Sequence, residues 1–212
     1  MKNLSYLFVI FIAGLLFSCT SQTKKKEMNY RQIISGEDFE QGLKIAYNPA
    51  NKIITGFFEN YYGYDDAGNP NHRYSCLFYL RGLYKDTISD IEVYSPLEGD
   101  INSISGKIKI TDSLHCSILL SKEPDCFNVG IFSQFWITFN ISRKTNWLEI
   151  RYIDTPKSYL YKTNDVSTIR KAYLVKGDVV FIDKIENDWI HCTYFGKSMT
   201  EGWLKKETIN NF

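Results

Sequence analysis

Most of the chain after residue 52 consists of short segments in which β-branched and aromatic residues alternate with polar ones. Alternation with a period of two is typical of strands, and short strands at this spacing favour antiparallel sandwiches and barrels. The sequence therefore predicts an all-β protein with an N-terminal β-sandwich or small barrel over residues 33–154. Only GEDFEQGLK, residues 36–44, has a weak helical pattern, and its two glycines disfavour a helix. The strand-like segments are KIITGFFENYYG, RYSCLFYLRGLY, TISDIEVYS, SISGKIKIT, HCSILLS, QFWITFNIS and NWLEIRYID.

The N-terminal residues have the pattern of an export signal. Lys2 precedes an apolar run from Leu4 to Phe17, which is shorter than the ~20 residues that a membrane-spanning helix needs. The run ends in LFSC, residues 16–19, and this motif resembles the lipobox of bacterial lipoproteins. The resemblance implies a signal peptide over residues 1–18 and acyl chains on Cys19 that hold the protein on a membrane. An ordinary signal peptide that happens to contain a cysteine is the alternative.

The location follows from the same resemblance. We expect the protein in the cell envelope, anchored to a bacterial membrane, with the periplasmic side of the outer membrane as its site. Residues 19–32 are polar, without apolar periodicity, and contain Lys24, Lys25 and Lys26. This composition predicts a flexible tether between the lipid and the folded part.

The last quarter of the chain differs from the part before it. Pro156 and its polar neighbours interrupt the strand pattern and predict a boundary, with a second domain over residues 157–212. Residues 158–209 resemble the bacterial SH3 domain, which implies a five-stranded, SH3-like barrel that binds peptides or proteins. The features that carry the resemblance are, in order, Tyr159 and Tyr161, Tyr173, Gly177 with Asp178, Trp189, and Gly202 with Trp203.

Aromatic residues of this second domain are the candidate ligand-binding residues. Tyrosine combines a stacking face with a hydroxyl, which suits a peptide groove, while some of the rings must fill the small core. The candidates are Tyr159, Tyr161, Trp189, Tyr194 and Trp203.

Four cysteines remain after Cys19, and an exported protein meets an oxidising compartment. We expect one disulfide within the first domain, between two of Cys76, Cys116 and Cys126, and the sequence does not determine the pairing. Cys192 is expected to be a small buried apolar residue.

Other classes of function lack support in the sequence. The formal charge of +1 gives no basic excess for nucleic acid, so no nucleic-acid partner is expected. None of His72, His115 and His191 has a second ligand at metal-binding spacing, so neither a metal nor another cofactor is predicted. No catalytic motif is present. A pairing of Cys76 or Cys126 with His115 or His191 is disfavoured because these cysteines lie in strand-like segments and not at a helix start.

These observations favour a non-enzymatic envelope lipoprotein. Its expected partners are the membrane, through the lipid on Cys19, and a peptidoglycan peptide or an exported protein. An inhibitor or immunity factor that protects the envelope is one form of this role. The alternative is a cell-wall hydrolase, or an accessory of one, with an unrecognised Cys/His site.

Overall fold

The structure, a computed structural model, describes residues 35–62, 74–95, 102–124 and 132–211. Within these residues the prediction of an all-β protein is confirmed, because strands alternate with turns and the helical elements are short 3₁₀ turns, such as Val166–Thr168 and Lys206–Thr208. The predicted signal peptide, the tether, Cys19, His72 and Cys126 lie outside the described residues. The strands are β1 (Gly36–Glu37), β2 (Leu43–Asn48), β3 (Ile53–Tyr62), β4 (Tyr74–Leu83), β5 (Ile88–Tyr94), β6 (Ile104–Ile110), β7 (His115–Leu120), β8 (Ile137–Asn140), β9 (Arg143–Lys144), β10 (Glu149–Tyr152), β11 (Lys157–Tyr161), β12 (Ile169–Val175), β13 (Val179–Glu186), β14 (Trp189–Phe195) and β15 (Met199–Lys205).

The first nine strands form one curled antiparallel sheet, which we call the large sheet. Its order is β8-β7-β6-β5-β4-β3-β2-β1-β9, so neighbours along the chain are mostly neighbours in space. The two edge strands are consecutive in the chain and are separated only by Ile141 and Ser142. The Ile141 amide donates to Leu114 and the Ser142 amide to Glu37, at 2.7 and 3.0 Å. The sheet therefore closes on itself, which corresponds to the barrel alternative.

Alternation along the strands explains the core of the large sheet. In β6, for example, Ile104, Ile108 and Ile110 are buried while Lys107 and Lys109 between them are exposed. Equivalent positions of the other strands contribute aromatic rings, and the Phe58 and Phe78 rings stack at 4.8 Å between centroids. A period of two thus places one apolar row of each strand in the interior.

The segment with the weak helical pattern becomes a hairpin. β1 and β2 pair with Gly36 opposite Ile45, and the connection between them turns at Gly42. Gly42 has a φ of 82°, and a side chain there would collide with the carbonyl of Glu59 on β3. A tight turn with positive φ beside a neighbouring strand requires glycine, which explains why the segment is not a helix.

The remaining strands form a second sheet of six strands, the small sheet, in the order β10-β13-β14-β15-β11-β12. Its buried core is aliphatic, with Cys192 among its members. The resemblance to SH3 domains implied five strands, and the additional strand is β10, which pairs with β13. Residues 149–152 therefore belong to the small sheet, although they precede the boundary that Pro156 predicts.

The two sheets pack against each other through β10 and β13. Phe57 and Tyr79 on the outer face of the large sheet contact Ile150 and Phe181 in one buried cluster. In addition, the Ile150 amide donates to the hydroxyl of Thr55 at 2.7 Å, in a buried position. The junction therefore combines apolar packing with a hydrogen bond from a backbone amide to a side-chain hydroxyl.

A buried charged network extends this junction. Glu149 Oε2 accepts from Nε of Arg151 at 2.9 Å, and both side chains are almost completely buried. Glu149 Oε1 accepts from the side-chain amide of Asn48 at 2.9 Å and from the side-chain amide of Asn51 at 3.2 Å. The Arg151 guanidinium also donates to the carbonyl of Asn210 at 2.9 Å. The network thus connects the β2–β3 turn of the large sheet with β10 and the C-terminal segment.

Candidate ligand-binding face

Three of the five candidate ligand-binding residues lie together on one side of the small sheet. Tyr161 pairs with Trp203 across β11 and β15, and the Tyr161 ring meets the Trp189 ring edge-on at 4.9 Å. Their neighbours Leu160, Ile190 and Leu204 point into the core, so alternation directs the three rings away from it. We call this group, Tyr161, Trp189 and Trp203, the aromatic face.

Cationic side chains lie against these rings. Lys205 Nζ is 4.0 Å from the ring centroid of Trp189, and Lys184 Nζ is 5.3 Å from that of Trp203. Trp189 is only 9% exposed beneath its neighbours, whereas Tyr161 and Trp203 are half-buried. The part of the face that a ligand can contact is therefore formed by Tyr161 and Trp203, with Trp189 as their support.

His191 adds a polar group beside Trp203. Its ring lies 5.4 Å from the Trp203 ring, and its Nδ1 is 2.7 Å from Oδ1 of Asp183. This pair places a hydrogen-bonding group at the edge of an apolar surface, an arrangement suited to a ligand with both apolar and polar parts.

The loops on either side hold the aromatic face at one end of the small sheet. Tyr161 ends β11 and Trp189 begins β14 directly after a turn in which Asn187 has a φ of 52°. Asparagine tolerates this left-handed conformation better than most residues. The side-chain amide of Asn164 donates to Glu186 at 2.9 Å and so joins the β11–β12 loop to the β13–β14 turn.

Tyr159 forms a second exposed cluster with a residue outside the candidate set, Tyr173. The two rings meet across β11 and β12 at 6.1 Å, and 39% and 50% of these residues are exposed. Lys157 Nζ lies over both rings, 4.6 Å from Tyr159 and 3.9 Å from Tyr173. A side-chain hydrogen bond with Tyr159 raises the pKa of Lys157. Tyr173 lies on β12, which is an edge strand, so this cluster lies at the margin of the small sheet.

Tyr194 does not belong to either group. It packs against the core of the small sheet, and its hydroxyl donates to Oδ1 of Asp178 at 3.1 Å. Burial, and then the Asp178 carboxylate, raise the pKa of Tyr194. Strand parity explains the separation, since Trp189 and Tyr194 are an odd number of residues apart on β14 and therefore point to opposite faces.

Two of the cysteines that the structure describes lie inside the two cores. Cys116 and Cys192 are free and buried, and burial raises the pKa of both thiols, to about 12 for Cys116. His115 precedes Cys116 and His191 precedes Cys192, so the two histidine side chains point to the opposite faces of their strands. They pair with Asp112 and Asp183, respectively. A thiolate is therefore strongly disfavoured at either cysteine.

Cys76 differs from these two cysteines because it is disulfide-bonded. It lies on β4 and is completely buried in the core of the large sheet. Cys116, the other candidate within the described residues, does not take part in this bridge.

Two kinds of feature are absent from the part of the chain that the structure describes. Its His, Cys, Asp and Glu side chains form no group of three or more that could hold a metal ion. Within the same residues, no helix has the length and apolar character needed to cross a membrane.

Comparisons with protein-family models, with curated proteins and with solved structures give no match for this chain.

Proposed function

We propose that this protein is a non-enzymatic lipoprotein of the bacterial cell envelope that binds a peptidoglycan peptide or an exported protein. The lipid on Cys19 holds it on the membrane, and the tether of residues 19–32 lets the two sheets reach a partner. The small sheet, which resembles an SH3-like barrel in its sequence, supplies the binding surface. An inhibitor or immunity factor would use the same surface.

The observation that carries the proposal is the row of partly exposed aromatic rings with cations beside them. Tyr161, Trp203 and the Tyr159–Tyr173 pair offer ring faces, while Lys157 and Lys184 lie within reach of those rings. Aromatic rings with polar ends are the side chains that most often anchor protein and peptide partners. Such rings contribute little to a folded core when they remain in contact with water, so binding is the role that explains them best.

The non-enzymatic part of the proposal is supported by the surroundings of the thiols. A cysteine hydrolase needs a thiolate near a histidine. Among the described cysteines, Cys76 is disulfide-bonded, and Cys116 and Cys192 lie in apolar cores with raised pKa values.

Capture of envelope material tests the proposal. The full chain, in detergent, is incubated with purified peptidoglycan sacculi and separately with envelope proteins, and the bound fraction is measured for wild type and Trp203→Ala. Loss of an interface anchor typically costs 2 kcal/mol or more, so we expect capture to weaken at least about tenfold. Tyr173→Ala repeats the test with a ring that is more exposed than that of Trp203, so its removal disturbs the packing less.

The matched control is Phe39→Ala, because Phe39 is an exposed aromatic residue, 65% exposed, in the β1–β2 turn beside the large sheet. The control should bind as wild type does. If Trp203→Ala and Tyr173→Ala both capture as much as wild type, the small sheet does not form the binding surface.

A further inference from the structure

A cleft of about 460 Å³ lies between the two sheets, apart from the aromatic face. One wall belongs to the outer face of the large sheet and the other to β13, β14 and the turn before β13. Both walls are aromatic. Their rings belong to Phe57, Tyr79, Phe181, Tyr194 and Phe195. Clefts of this size between structural units, with apolar walls and few polar groups, are typical small-ligand sites.

The charged groups of the cleft are unequal in number. Among the described residues that line it, Lys44 is a cation and Glu59 and Asp178 are carboxylates. Lys44 Nζ lies 3.9 Å from Glu59 Oε2 and 5.6 Å from the centroid of the Phe57 ring. The protein thus already places an ammonium group of its own against a ring and a carboxylate at one side of the cleft.

Asp178 lies among the small-sheet residues of the cleft. Its Oδ1 accepts from the Tyr194 hydroxyl at 3.1 Å and its Oδ2 from the Val175 amide at 2.8 Å. Both bonds come from neutral donors, so they orient the carboxylate without neutralising its charge. A cation that enters the cleft meets this charge together with the faces of aromatic rings.

Tyr79 provides a second, independent observation at the same site. The residue is 1% exposed, and its hydroxyl makes no hydrogen bond to any part of the chain that the structure describes. Burial raises the pKa of Tyr79, and the neighbouring tyrosines and the Glu59 and Asp178 carboxylates add to this effect. Tyr79 thus lines the cleft with a buried phenol oxygen that has no partner among the described residues, and the carboxylates around it favour a cation over an anion.

We propose that the cleft binds an organic ammonium group, such as the side-chain amine of a lysine-like residue, against the aromatic rings and near Asp178. Its alkyl chain lies along the apolar walls, because a flexible stem buries well on such surfaces. Lys44 acts as a competing cation, and its removal therefore increases the affinity of the site. Binding at this cleft does not involve Tyr161 or Trp203.

Calorimetric titration of the full chain, in detergent, tests this site. The probe is Nα-acetyl-lysine methylamide, and its Nε-acetylated form is the neutral control of nearly the same shape. We expect the charged probe to bind roughly tenfold more tightly than the neutral one, which corresponds to about 1.4 kcal/mol. Nα-acetyl-glutamate methylamide should give no measurable binding.

Substitutions of the charged residues test whether negative charge in the cleft strengthens binding of the lysine probe and positive charge weakens it. Asp178→Asn removes the charge; its one acceptor oxygen can still receive the Val175 amide, and its NH2 group can donate to the Tyr194 hydroxyl. It should weaken the lysine probe several-fold, whereas Lys44→Gln should strengthen it. Phe195→Ala, at a residue 43% exposed, should weaken it without loss of a core side chain. Asp112→Asn, at an exposed carboxylate of the large sheet, should leave it unchanged. Trp203→Ala should also leave it unchanged, which separates this site from the aromatic face.

Several results would overturn the assignment. They are equal affinity for the charged and neutral probes, tighter binding of the glutamate probe, weaker binding by Lys44→Gln, or no heat of binding with the lysine probe.

Discussion

The buried Glu149–Arg151 pair should carry much of the stability of the junction between the two sheets. Both side chains are at most 10% exposed, and Glu149 receives hydrogen bonds from the large sheet as well as from Arg151. Glu149→Ala removes the carboxylate and leaves the guanidinium of Arg151 in a buried position without it. Breaking a buried pair in this way costs about 3–5 kcal/mol of unfolding free energy.

The pair Arg81–Glu92 on the large sheet provides a matched control. Its Nη2–Oε2 distance is 2.9 Å, close to the 2.7 Å of Arg151–Glu149, but the Glu92 side chain is 52% exposed. Exposed pairs contribute about 0–1 kcal/mol, so Glu92→Ala should be nearly neutral. The two variants therefore compare the same chemistry at two depths of burial.

Urea unfolding of the full chain, followed by circular dichroism and tryptophan fluorescence, measures both effects. A double variant, Glu149→Met with Arg151→Met, should recover part of the stability, because an apolar pair leaves no buried charge. A cost below about 1 kcal/mol for Glu149→Ala, similar to that of Glu92→Ala, would refute the reasoning.

Three further predictions concern the anchor, the thiols and the cleft. Cys19→Ala should prevent lipid attachment and move the protein out of the detergent phase in Triton X-114 partitioning; unchanged partitioning and processing would contradict the lipoprotein assignment. Cys116 and Cys192 should resist iodoacetamide at pH 8 in the folded protein, because their raised pKa values keep the thiols protonated, and both should react in urea. Addition of a reductant to the unfolded protein should then expose two more thiols, one of them Cys76. Rapid labelling of the native protein would count against the buried positions of Cys116 and Cys192. Tyr79→Phe should raise the unfolding free energy by roughly 1–2 kcal/mol, because it removes a buried hydroxyl without a hydrogen bond, whereas a loss of stability would mean that the hydroxyl has a partner.

Local pattern was sufficient to predict the all-β class and most strands of the large sheet. The segment RYSCLFYLRGLY contains β4, Tyr74–Leu83, and its alternation places Cys76, Phe78 and Leu80 in the core of the large sheet. The β1–β2 hairpin was not predicted, since it depends on contact between Gly42 and a strand that follows it in the chain. Closure of the large sheet was also beyond the sequence, because one continuous segment pairs at its two ends with different strands.

The candidate site was predicted in part. The order of aromatic residues that resembles an SH3 domain did identify Tyr161, Trp189 and Trp203, which the structure brings together. Tyr194 was included although its odd separation from Trp189 on β14 already indicated the opposite face. The cleft was not predicted because its two walls come from strands that are far apart in the sequence, such as β4 and β13, and only the packing of the two sheets makes them neighbours.

The central claim is that the small sheet presents the surface that contacts a partner in the envelope. Photo-crosslinking in the cell tests it most directly, with a benzophenone amino acid at position 173 or 39 of the lipid-anchored chain. Both native residues are exposed aromatics, Tyr173 on β12 of the small sheet and Phe39 in the β1–β2 turn beside the large sheet, so the substitutions disturb the fold little. We expect a discrete adduct with a muropeptide or an exported protein from position 173 and none from position 39. Adducts from position 39 alone, or from neither position, would contradict it.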